Sequence, residues 1–198
     1  MRARILLSGL LGGVALFFWG AIAHMALPLG EIGIQNLPAE EEVLAPMRQH
    51  MQQPGFYFFP GMDRTPGLSK EQKAQNQKTW EEKYNRGPHG ILIYHPSGSQ
   101  PLSAKQLVTE FITNVVTALL SMFFLVRVAP AFGARVGASI VLGLVVAIAS
   151  EVPYWNWYGF PADYMMAQLI ETTVGFAAIG IVFALVNRPN SAAPQALG

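Results

Sequence analysis

From Leu107 to Val126 the chain is mostly apolar, but Gln106, Glu110, Asn114, Thr117 and Ser121 mark it at spacings of four, four, three and four residues. On an α-helix those positions share one face, so the stretch predicts a membrane-spanning helix with a single polar stripe. An ionisable group on such a helix is costly against lipid and must face protein or water. Partner helices are therefore required, and three further apolar runs supply them.

The first run, Ile5 to Leu27, has no Lys, Arg, Asp or Glu and follows Arg2 and Arg4. Its length and its Phe17-Phe18-Trp19 predict a retained anchor; Ala21-Ile22-Ala23 offers the alternative of a signal-peptidase site. Gly9 and Gly13, then Gly20 and His24, form small faces suited to close helix packing. The third run, Val136 to about Val152, places Ser139, Gly143, Ala147, Ser150 and Glu151 on one face. The fourth begins at Pro161, carries Asp163 in its first turn and sets Gln168, Glu171, Thr172 and Gly175 on one side before ending at Val186.

Between the first two runs the pattern changes. Glu40-Glu41-Glu42 after Pro38 predicts a helix start, with a stop near Gln53 before Pro54-Gly55. Phe56-Tyr57-Phe58-Phe59 has apolar residues on both faces and predicts a covered central strand. Ser69 with Gln72 is a capping box and Gly87-Pro88 a stop, so Lys70 to Arg86 predicts a polar helix whose contact stripe is Trp80 and Tyr84. Ile91-Leu92-Ile93-Tyr94 is a second strand. Strand, helix, strand in that order predicts a right-handed crossover into a small parallel or mixed sheet.

The elements together predict a membrane all-α four-helix bundle with a small α/β (α+β) extracytoplasmic domain inserted between the first two membrane helices. Residues 1–27 form the first helix and 28–102 the domain. Residues 103–187 form three more helices, at about 104–126, 136–152 and 161–187, and 188–198 a disordered cytoplasmic tail.

Composition sharpens this picture. Charged residues make up 13% of the chain, against about 25% in soluble domains. Eight of the 13 Lys/Arg and eight of the 12 Asp/Glu lie between Leu27 and Lys105, so charge is concentrated in the polar unit. A net charge of +1 without a basic cluster leaves no electrostatic footprint for nucleic acid. The absence of cysteine excludes disulfides and thiol chemistry. The short loop Arg127–Arg135 is bounded by two arginines, whereas Pro153–Ala162 has no basic residue. The positive-inside rule then puts both termini in the cytoplasm of a bacterial-type inner membrane and the polar unit outside.

Counting from Arg127, Arg135 and Arg188 puts Glu110, Glu151 and Glu171 at nearly equal height, roughly 24–26 Å up their helices. The pattern predicts that these three carboxylates converge on one site between the second, third and fourth membrane helices, with His24 at its rim and Asn114 and Gln168 as hydrogen-bond partners. Without a basic partner the three cannot all be ionised, so most are protonated or a cation sits among them. Tyr154, Trp155, Trp157 and Tyr158 form an aromatic cluster suited to the membrane interface. Met47, His50 and Met51 are a weak soft-metal set on one short helix, and the cofactor is otherwise unknown. HExxH, GxSxG, P-loop and GxGxxG patterns are all missing, so the commonest hydrolase and nucleotide chemistries have no support.

The leading expectation is a non-enzymatic integral inner-membrane protein whose external domain and polar-lined bundle serve assembly or interaction with envelope components. The alternative is a small proton- or cation-coupled transporter or ion-binding unit built on the clustered membrane glutamates. The expected partners are the lipid bilayer and other membrane or periplasmic proteins, with homo-oligomerisation left open.

Overall fold

The computed structural model describes residues 2–188. Most of the tail expected at 188–198 therefore lies outside the described residues. In chain order the elements are α1 (Arg2–Met25), α2 (Glu40–His50), β1 (Gly55–Phe59), α3 (Lys70–Arg86), β2 (Gly90–Tyr94), α4 (Ala104–Leu125), α5 (Phe132–Tyr158) and α6 (Ala162–Val186). Four of these, α1, α4, α5 and α6, are long and apolar enough to cross a membrane. Backbone contacts divide the chain into two units, one of the residues up to Ile34 with those from Pro101 on, the other Gln35–Gln100.

In the first unit α1 packs between α4 and α6, and α5 packs chiefly against α6 and also touches α4. Small residues allow these approaches. A Cβ on Gly9 or Gly13 would collide with Leu119 or Val115 of α4, so α1 and α4 meet almost backbone to backbone. On the other side Ser139, Gly143 and Ala147, spaced by four, are the buried positions of α5. A Cβ on Gly143 would lie 2.6 Å from Phe176 of α6, and one on Gly180 of α6 would lie 2.6 Å from Ser139. The Ser139 hydroxyl donates to the Phe176 carbonyl at 2.6 Å and is fully buried. A core of Ala118, Met122 and Leu125 of α4 with Phe176, Ile179 and Phe183 of α6 has Ile5 and Leu16 of α1 and Ala138 and Leu142 of α5 packed against it.

A polar tie links all four helices at their arginine-bearing end. Arg135 at the start of α5 donates to the Asn187 carbonyl at 2.7 Å, and the Asn187 amide donates to Ser8 Oγ of α1 at 3.2 Å. Ser8 donates to the Ile5 carbonyl, with the Met122 sulfur of α4 at 3.5 Å. The Arg135 guanidinium also lies over the Phe183 ring at 4.9 Å.

The third membrane helix is longer than its sequence pattern predicts. Instead of ending near Val152, α5 runs through Pro153 and on to Tyr158, so the expected loop Pro153–Ala162 shrinks to a few residues. Proline removes one helical N–H, a loss that membrane helices tolerate when neighbouring groups satisfy the backbone. The stop is Gly159, whose φ of 70° closes the helix in the left-handed conformation with its N–H on the Tyr154 carbonyl.

In the second unit the two predicted strands pair, with Phe56 opposite Ile93 and Phe58 opposite Ile91. The pairing is antiparallel, which corrects the parallel or mixed arrangement expected from a crossover. The long connection Pro60–Ser69 supplies the extra reversal that an antiparallel return requires. The sheet has only these two strands, so β1 is an edge and not a covered central strand, and Phe56 remains 60% exposed. The capping box at Ser69 and Gln72 forms as the sequence predicts. Tyr84 of α3 stacks on Phe58 with ring centroids 6.4 Å apart, and the Trp80 indole donates to the Pro60 carbonyl at 2.9 Å.

Candidate functional site

A chamber of about 850 Å3 opens between α1, α4 and α6. Its α1 wall is Phe17, Gly20, Ala21, His24 and Met25. Its α4 wall includes Lys105, Gln106, Leu107, Glu110 and Asn114, and Glu171 stands in it from α6. Its position follows from the packing. The Gly9 and Gly13 contacts hold α1 and α4 together low in the bundle, whereas Gly20 has no atom within 4 Å of where its Cβ would be, so the helices part above it.

Glu171 is placed by α1. Gly175, one turn further along α6, lies against Leu16 and Trp19, and the Trp19 indole donates to the Glu171 carbonyl at 2.9 Å. The carboxylate Oε1 lies 3.1 Å from His24 Nε2, an ion pair whenever the imidazole is protonated. Its Oε2 is enclosed and has no hydrogen-bond partner among the described residues, so the His24 contact is the one that side chain relies on. His24 is held in turn by the 3-10 turn Pro28–Gly30. That turn folds back onto the imidazole, and a Cβ at Gly30 would overlap the ring.

Glu110 is placed by its own helix. Asn114, one turn on and 8% exposed, donates from Nδ2 to Glu110 Oε1 at 3.0 Å. The pair is the i, i+4 step of the polar stripe that the sequence shows. Gln106 serves the α4 cap, where its Oε1 accepts from the Ser103 N–H at 2.8 Å.

The remaining site residues fall elsewhere. Glu151 lies on α5 and does not line the chamber; its Oε1 is 3.0 Å from the Ser150 hydroxyl. Gln168 is half-buried on α6 and also outside the chamber lining. The chamber is thus walled by α1, α4 and α6, where the sequence pattern predicts a site between α4, α5 and α6. Equal height leaves the order of helices around the bundle open, and α1 lies between α4 and α6, which carry Glu110 and Glu171. Among the described residues no group of three His, Asp or Glu side chains is arranged to hold a metal.

Lys105 and Phe17 belong to the chamber lining but not to the expected site. Lys105 sits in the first turn of α4, where its charge reads from sequence as ordinary surface. Phe17 meets Phe111 of α4 edge to face at 5.6 Å, a contact no spacing rule reveals. The aromatic cluster is part of α5 itself: Tyr154, Trp155, Trp157 and Tyr158 are all exposed, Trp157 by 75%, around its Gly159 end. Met51 has left the helical conformation, so Met47, His50 and Met51 do not share the helical face their spacing predicts.

Comparison with protein-family models, with characterised proteins and with solved structures finds no match to the chain.

Proposed function

We propose that this multi-pass membrane protein is a non-enzymatic cation- or proton-binding unit of the inner membrane, with the chamber as its site. The observation that carries the reading is the shared lining, in which Glu110, Glu171 and His24 face one cavity between three apolar helices. Carboxylates in such surroundings require a cation or a proton. Glu110 is the accepting anion, Asn114 orients it, and the His24–Glu171 pair is the second polar element. The arginine asymmetry of the loops supports cytoplasmic termini, with the chamber open toward the extracytoplasmic side. Thermal unfolding of the purified protein across a series of cations and pH values tests this. A cation- or pH-dependent stabilisation that Glu110→Gln and Glu171→Gln each reduce is the expected result, and a wild-type response unchanged in both variants would overturn it.

A second reading, assembly with another envelope component, is favoured by one feature of the polar unit. Phe56 and Ile93 are cross-strand partners on one face and are 60% and 66% exposed. Paired apolar side chains left open on a small sheet suit a protein contact. Copurification of a stoichiometric partner, lost on Phe56→Ser, is the expected outcome of that reading.

A further inference from the structure

We infer that the chamber takes an organic ammonium ion with an apolar body, its head against Glu110 and its body against Phe17, Ala21, Met25 and Leu107. This deepens the cation-binding reading and rests on it. Size is the first argument. A volume of about 850 Å3 falls in the range of small-molecule pockets, roughly 300–1,000 Å3, whereas a hard metal ion needs only a close shell of oxygens. The chamber's carboxylates do not form such a shell, since no three acidic or imidazole groups among the described residues are arranged for one.

Charge is the second argument. Two carboxylates and one ammonium, Lys105, line the chamber beside the His24 imidazole, so carboxylates outnumber the ammonium and favour a cation. Lys105 forms no ion pair within 4 Å among the described residues, and Glu171 Oε1 is already met by His24. Glu110 is left as the available anion. Its Oε1 is held by Asn114 while the residue itself is exposed, so an incoming N–H donor can reach it.

Wall chemistry is the third argument. Beside the polar groups the lining is aromatic and aliphatic, with Phe17, Ala21 and Met25 from α1 and Leu107 from α4, and Gly20, with no atom within 4 Å of a Cβ, leaves a recess in it. A bare inorganic ion would gain nothing from that surface, whereas an alkyl chain would be removed from water along it.

The test is calorimetric titration of the full-length protein in phosphatidylcholine nanodiscs, with protein-free nanodiscs subtracted. The probes are hexylammonium, 1-hexanol, hexanoate and sodium. Saturable binding of hexylammonium, weakened about tenfold or more by Glu110→Gln, is expected from losing a hydrogen bond to a charged group. Gly20→Leu, which fills the recess without changing a charge, should abolish that binding while the protein stays folded. Equal binding of hexanol and hexylammonium would overturn the inference in favour of an acyl-chain slot. A preference for hexanoate would overturn its sign. Sodium binding lost in Glu110→Gln, with no hexylammonium binding, would overturn the organic ligand and leave the cation-binding reading standing; binding of none of the charged probes would remove both.

Discussion

At the residue scale, two carboxylates with similar sequence surroundings do different work because of single neighbours. Asn114 fixes one oxygen of Glu110 from within the same helix, whereas Glu171 meets His24 from a helix 147 residues distant in sequence. Replacing His24 by Phe removes the one contact of a largely enclosed carboxyl and should lower the melting temperature in detergent, with a loss of about 1–3 kcal/mol. His24→Gln, which keeps a donor, should restore most of it. In the polar unit Asp63 shows the opposite, exposed case. Hydrogen bonds from the Thr65 hydroxyl at 2.6 Å and the Thr65 N–H at 2.9 Å hold its pKa below the ordinary 3.8, with Asn76 of α3 a weaker donor at 3.3 Å. A depressed folded-state pKa means that the contribution is complete at pH above 3.8 and fades as pH falls through the folded value. The Thr65 amide should therefore keep its hydrogen-exchange protection at pH 5 and above and lose it in stronger acid, and Asp63→Asn should flatten that dependence.

At the scale of elements, α5 and α6 are joined by a seam in which bulk is excluded. Gly180→Val would drive a branched side chain into Ser139 and should destabilise by about 1–3 kcal/mol, as overpacking does. Gly137→Ala on the same pair, where no atom lies within 4 Å of the new Cβ, should be neutral or slightly stabilising. Ser139→Ala removes a buried interhelical hydrogen bond and should lower stability by about 0.6 kcal/mol, the average for such bonds in membranes. Thermal or denaturant unfolding in one detergent ranks the three, and equal melting temperatures for Gly180→Val and Gly137→Ala would contradict the seam. Sequence spacing alone shows which face of α5 is small, because Ser139, Gly143 and Ala147 recur every four residues. It leaves open that the partner is α6.

At the scale of the whole molecule, the four long helices have a tied end and an open end. The Ser8, Met122, Arg135 and Asn187 contacts close the end that carries the arginines, and the chamber opens at the other. A reporter active only in the cytoplasm should function when fused after Arg188 and fail when fused after Gly98; the reverse pattern would invert the proposed orientation. Asn187→Leu should loosen the tied end, seen as faster proteolysis near Arg127–Arg135, and leave hexylammonium binding intact.

Elements whose signals are local were legible in the chain alone. The capping boxes at Ser69 with Gln72 and Ser103 with Gln106, the four apolar spans, the two strands as elements and the polar stripe of α4 all depend on neighbours close in sequence, where propensity and periodicity act. The Glu110–Asn114 contact belongs with them, since i, i+4 geometry suffices. Tertiary structure decided the rest. Equal depth of Glu110, Glu151 and Glu171 is a one-dimensional property, and three carboxylates at one height can still lie around different helices. The placing of α1 between α4 and α6 depends on close approaches at Gly9, Gly13 and Gly175 to residues more than a hundred positions away. That placing brought His24 and Phe17 into the chamber, whose lining does not include Glu151. The strand direction was likewise non-local, because a helix between two strands is compatible with either sense until the path of the connection before it is known in three dimensions.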